Sequence, residues 1–191
     1  GRRDPRLGAG APGAYRGSLS ELAAAIDRAL HATDRDRRLI VNLSLGWDPA
    51  AAPELTDPRR ADSAAVAAVH RALQLVGCRQ ALAVAASGSE LGFPTSPRRP
   101  GPVWPAAWTV TSRPPEETCL ALLPELGPYD ESAPFVVAAG AVGDFEDFEG
   151  EEARPLALQR RGGAPTVYAY GRGPGGDRGP GLVGTSVAAA A

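Results

Sequence analysis

From Ser18 onward, apolar side chains return every three or four positions, and Leu19, Leu22, Ala23, Ile26 and Leu30 share one face. Ser18 with Glu21 makes a capping box, so the pattern predicts a helix opening at Ser18. Residues 39–45 abandon that period and run mostly apolar, which predicts a strand covered on both faces. Gly46-Trp47 ends it. After a loop with Pro and Arg over 48–60, a second helix is predicted over 61–76, with Val66, Val69, Leu73 and Val76 as its inner stripe. Gly77 is its expected stop. Residues 81–86 read as the next buried strand, breaking at Ser87-Gly88-Ser89. Strand, helix, strand is a crossover unit, so these two strands are expected to be parallel.

The second half has weaker periods. Residues 87–105 read as a long loop rich in Pro, and a short helix is expected near 115–123. Two further strands are predicted at 135–139 and 166–170. Residues 1–17, rich in Gly, Arg and Pro, have no period and read as an arm or linker. Residues 18–191 are then one domain, which suits a chain of 191 residues. The fold class that follows is α/β, a doubly wound and mostly parallel sheet with helices on both faces.

Charge and composition remove several functions. A net charge of −2 speaks against a nucleic-acid arm or a polybasic membrane patch. No apolar run approaches the roughly 18 residues of a membrane span. All 20 basic residues are Arg, so a Walker A phosphate loop and a Schiff-base lysine are both excluded. Without any Met, Gly1 is read as something other than a translated start, and no signal peptide is visible. Residues 187–191 read as a helix cut within its first turns, so both ends are taken as artificial.

Candidate chemistry begins at Gly184-Thr185-Ser186, followed by Val187 and four Ala. A Ser at the mouth of an Ala helix has backbone N–H groups beside its hydroxyl, which suits a nucleophile whose reaction develops an oxyanion. An ordinary N-cap Ser satisfies the same spacing and is the commoner case. Three other segments change that balance. Val41-Asn42-Leu43-Ser44-Leu45-Gly46 resembles the cleft-lining strand of subtilisin-like serine proteases (subtilases), which ends in Ser-Leu-Gly. Val84-Ala85-Ala86-Ser87-Gly88-Ser89-Glu90 resembles their Ala-Ala-Gly-Asn-Glu segment. Val137-Ala138-Ala139-Gly140-Ala141-Val142 is similar to their Val-Gly-Ala-Val strand, and Gly184-Thr185-Ser186-Val187-Ala188 to their Gly-Thr-Ser-Met-Ala nucleophile motif. The four occur in family order.

The resemblance implies a subtilisin-like sheet whose N-terminal part is missing, with 18–191 a partial peptidase domain. It implies peptide-bond hydrolysis by a Ser-His-Asp triad, with Ser186 as nucleophile and its N–H as one oxyanion donor. Ser44, Leu45 and Gly46, with Ala86, Ser87 and Gly88, would line the cleft for the substrate backbone and P1 side chain. Ser89 stands where the family has an oxyanion Asn; its hydroxyl reaches less far, and losing such a donor costs about 10²–10³ in turnover. The triad His and Asp have no counterpart here. His31 ends the first helix and His70 lies beside the inner stripe of the second, so neither carries over as base. Both triad partners are expected upstream of Gly1. The implied partner is a peptide or protein substrate, together with the missing part of the same domain; neither nucleic acid nor membrane is expected. The competing reading is a catalytically degenerate subtilase-like module that binds or supports.

Other signals are weaker. Gly171, Gly173 and Gly176 spell a dinucleotide fingerprint, but Pro174 lies inside it and no helical period follows, so a nucleotide-binding domain is a distant third reading. Six carboxylates between Asp144 and Glu152 offer oxygen ligands for calcium yet lack the EF-hand spacing, so no cofactor or metal is expected. Asn42-Leu43-Ser44 is a glycosylation sequon, discounted because the strand is expected to be buried. Cys78 and Cys119 fit a bridge in an exported protein or two buried thiols in a cytosolic one. The resemblance favours the bridge and an extracellular or exported protein, since subtilases are commonly exported.

Overall fold

The computed structural model describes residues 2–3, 15–34, 37–48, 63–89, 100–125, 127, 129–143, 155–156, 159–171 and 185–190. In the arm, Arg2–Arg3 (β1) and Tyr15–Arg16 (β2) pair as a two-residue antiparallel ladder. The capping box then opens α1, Leu19–Ala32: Glu21 N–H donates to Ser18 Oγ (3.1 Å), and Ser18 N–H to Glu21 Oε2 (2.8 Å). Ile26 and Leu30 are buried, with Leu19, Leu22 and Ala23 packed alongside, as the period requires. The last carbonyls of α1 are satisfied from the next helix. Arg79 donates to Leu30 O, to Thr33 O (3.0 Å) and to Asp34 O (3.2 Å).

Helix α2, Ala64–Cys78, buries Val66, Val69, Leu73 and Val76 completely. Gly77 does not stop it. The helix runs on to Cys78, and the left-handed residue that turns the chain is Gln80 (φ +53°), whose N–H donates to Gly77 O (2.9 Å). Gly77 instead lies buried against Pro114 and Phe135. A disulfide joins Cys78 to Cys119 in α3, Glu116–Leu122, with Cα atoms 5.1 Å apart. The Trp104–Pro105 turn is followed by a short 3₁₀ helix, Ala106–Val110, for which no sequence period exists. Its buried Trp108 meets Trp47, Trp104, His70 and Phe135 edge-on or tilted.

Among the described residues, four strands form an all-parallel sheet in the order β3 (Ile40–Leu43), β4 (Leu82–Ala86), β5 (Val137–Val142) and β6 (Val167–Tyr170). The pleat divides the small side chains between two layers. Ala83, Ala85 and Ala138 join the core built on α1 and α2, while Val84, Ala86 and Ala139 pack with Ala189 of α4, Thr185–Ala190. Helices therefore cover both faces, which makes the sheet doubly wound. One expectation differs: within these 191 residues β3 is not covered on both faces, and among the described residues it pairs with β4 alone. Ile40 is 65% exposed and Asn42 is exposed.

Candidate active site

In a parallel sheet the carboxyl ends of the strands share one rim, and loops leaving them meet there. Here β3 runs out into Ser44-Leu45-Gly46 and β4 into Ser87-Gly88-Ser89, and α4 begins at Thr185 on the same rim. Hydrogen bonds tie the three segments together. Ser44 Oγ donates to the carbonyl of Ser186 (2.9 Å), and Ser186 Oγ donates to the carbonyl of Ser44 at a long 3.4 Å. Thr185 N–H donates to Ser89 Oγ (2.9 Å), Gly88 N–H donates to Thr185 Oγ1 (3.2 Å), and the hydroxyls of Ser89 and Thr185 hydrogen-bond to each other at 3.1 Å, with either able to donate. Thr185 is buried by these contacts and Ser186 is exposed. Of the two, Ser186 has the exposed side chain, and Thr185 anchors it.

The other cleft positions divide by chemistry. Leu45 is 43% exposed on the rim. Ala86 points down into the α4 layer, and Ser87 is wholly buried with no partner for its hydroxyl, so both meet the rim through backbone alone. Gly46 and Gly88 face each other across Val103. A Cβ on Gly46 would lie 3.0 Å from Val103 Cγ2 and 2.9 Å from Trp104 O, and one on Gly88 3.2 Å from Val103 Cγ1. Gly88 also has φ +108°, open only to glycine without strain. Trp47 and Trp104 close this wall by exchanging backbone hydrogen bonds of 2.9 and 3.0 Å.

Both histidines are occupied on the other side of the sheet. His31 is exposed on α1 with Nδ1 2.9 Å from Asp27 O, and His70 stacks edge-on against Trp108 (4.9 Å) and Phe135 (5.1 Å) of the α2 core. Among the described residues, no three His, Cys, Asp or Glu side chains gather where a metal ion would sit. The acidic run 144–152, and Gly173 and Gly176 of the glycine fingerprint, lie outside the described residues. Gly171 lies inside and has a packing reason to be glycine: a Cβ there would run into Ala141 and Leu156.

Two solved structures share this architecture. A structure titled prenylagaramide maturation protease PagA aligns over 91% of this chain with a TM-score of 0.50 and 23% identity. Sphericase aligns over 91% with a TM-score of 0.53 and 16% identity. The fold is subtilisin-like. The chain spans 46% of the length of each of these two structures, so the subtilisin-like fold is seen here in part. No protein-family model and no curated protein sequence matches the chain.

Residues that sequence reasoning missed lie just behind the rim. Arg160 donates from Nη1 and Nη2 to both carboxylate oxygens of Asp48 (3.0 and 3.1 Å) and from Nε to Gly101 O (2.6 Å). Val103 wedges between the two glycines. Asp48 and Arg160 are 112 positions apart, and neither lies in a motif, so no local signal marked them.

Proposed function

We propose that the chain is part of a serine endopeptidase domain that hydrolyses peptide bonds with Ser186 as nucleophile. One observation carries the reading: the mutual hydrogen bonding of Ser44 and Ser186, which sets an exposed hydroxyl on the rim where β3, β4 and α4 converge. In this reading Ser186 Oγ attacks the scissile carbonyl, and its proton passes to a His held by an Asp, both supplied from outside these 191 residues. The oxyanion is received by the N–H of Ser186 and by the Ser89 region. Substrate backbone lies against Ser44-Leu45-Gly46 and Ala86-Ser87-Gly88. Residues 18–191 are then the C-terminal part of the catalytic domain. The Cys78–Cys119 bridge supports export to an oxidising compartment. Among the described residues, no helix is long and apolar enough to cross a membrane.

A second reading has its own observation. Ser89 Oγ, which stands where an oxyanion donor is expected, is already engaged with Thr185 N–H and Oγ1, which suits a non-catalytic module that keeps the cleft for binding. A fluorophosphonate probe separates the two in the full protein. Labelling at Ser186, lost in Ser186→Ala, is the expected result. A folded, unlabelled protein selects the binding module.

A further inference from the structure

Among the described residues, Arg160 is a heavily engaged charged side chain just behind the rim, and nothing in the reaction chemistry calls for it. Its side chain is only 9% exposed and that of Asp48 24%, so the pair has given up much of its hydration. Such a pair returns little stability over an apolar replacement, although breaking one partner is costly. Its geometry has a more specific consequence. The guanidinium grips Asp48 with two parallel hydrogen bonds, immediately after the Gly46-Trp47 wall, holds the Gly101 carbonyl through Nε, and reaches the Pro100 carbonyl at a long 3.5 Å. The same residue's N–H donates to Gly88 O (3.0 Å), and its Cδ lies 3.2 Å from where a Gly88 Cβ would be. One residue thus spans both walls of the cleft and the segment that leads to the Val103 wedge.

We propose that Arg160, through Asp48, is a positioning residue that sets the spacing of the two cleft walls, and with it the fit of the substrate side chain preceding the scissile bond. The proposal rests on the peptidase reading. Arginine suits the task where lysine does not, because its planar fork fixes both the direction and the distance of the carboxylate. Lys has one ammonium to divide between Asp48 and Gly101. Small displacements of a substrate-positioning wall carry large penalties, about 10²-fold for 1 Å.

The test uses the full protein carrying Asp48→Asn or Arg160→Lys, with active molecules counted by fluorophosphonate titration. Steady-state hydrolysis is then measured on peptides that differ only in the side chain before the cleaved bond. The expected result is a KM raised about 10–100-fold, a flattened side-chain preference, and kcat within about threefold of wild type. Titrated variants with wild-type KM and preference would reduce the pair to structural support and overturn the proposal. Where a single variant fails to fold, the double replacement Asp48→Leu with Arg160→Met removes both charges and is expected to give the same KM rise. If wild type takes no probe, the peptidase reading fails by itself, and binding of the same peptides is followed by fluorescence polarisation. About tenfold weaker binding to Asp48→Asn then supports wall positioning; unchanged affinity, or no binding to wild type, refutes it.

Discussion

At Gly46 the missing Cβ leaves room for backbone: the Trp104 carbonyl would be 2.9 Å away and Val103 Cγ2 3.0 Å. A carbonyl locked in a hydrogen bond with Trp47 N–H cannot give way as a side chain can. Gly46→Ala should therefore cost about 1–3 kcal/mol in urea denaturation, the usual penalty of overpacking. Val103→Ala should recover only the part owed to the methyl contact, seen as coupling in a double-mutant cycle. Ser89 poses the companion question. Ser89→Ala strips the acceptor from Thr185 N–H at a half-buried junction, and a loss of about 1 kcal/mol is expected. Ser89→Asn keeps an acceptor and adds a longer donor, so an active parent should turn over faster with little change in substrate affinity. Unchanged turnover in both variants would assign Ser89 to holding Thr185 alone.

Helix α1 shows how one element borrows its ending from another. It has no left-handed residue at its C-terminus; its C-cap Thr33 is extended, and three carbonyls at its end are bound by Arg79 beyond α2. Arg79→Ala should destabilise by about 1.5–3 kcal/mol, the range for hydrogen bonds to a charged group, with amide exchange at the end of α1 rising first. The turn before β5 carries a pH-dependent contact. The Ser132 hydroxyl and N–H hold the Asp130 carboxyl below its ordinary value. A depressed folded value means the stabilisation is complete above the unfolded value, near pH 4, and is lost as pH falls through the folded one. The gap in melting temperature between wild type and Asp130→Asn should be constant above about pH 5 and close below about pH 4.

For the whole molecule, the Cys78–Cys119 bridge closes a loop across a sequence separation of 41 and staples α3 to the end of α2. Chain entropy puts its contribution at about 4 kcal/mol, so Cys78→Ala with Cys119→Ala should lower the denaturation midpoint sharply while leaving the sheet intact. In the peptidase reading, catalysis needs more than these residues. The 191-residue chain alone is expected to hydrolyse no peptide, because no histidine is available to take the Ser186 proton. Hydrolysis abolished by Ser186→Ala would mean that a base within this chain had been overlooked.

Period and capping are local properties, and the chain states them without help. Ser18 with Glu21, the four-residue stripe of α2 and the small apolar strands were each legible because their spacing matches one turn or one pleat. The likeness to subtilases was legible from four short runs in family order, and the subtilisin-like fold agrees with it although identity to the two solved structures is 23% or less. What tertiary structure alone decided depends on neighbours. The same apolar run that reads as a strand covered on both faces leaves Ile40 and Asn42 exposed within these 191 residues, because a strand's own sequence does not say what packs against it. Gly77 reads as a stop but is buried within α2, since packing against Pro114 and Phe135 outweighs its weak helix preference. The Ser89–Thr185 and Asp48–Arg160 contacts join positions 96 and 112 residues apart. Hydrogen bonds of that reach exist only after the sheet has aligned its carboxyl ends, and that alignment is what turns scattered serines, glycines and one arginine into a single rim.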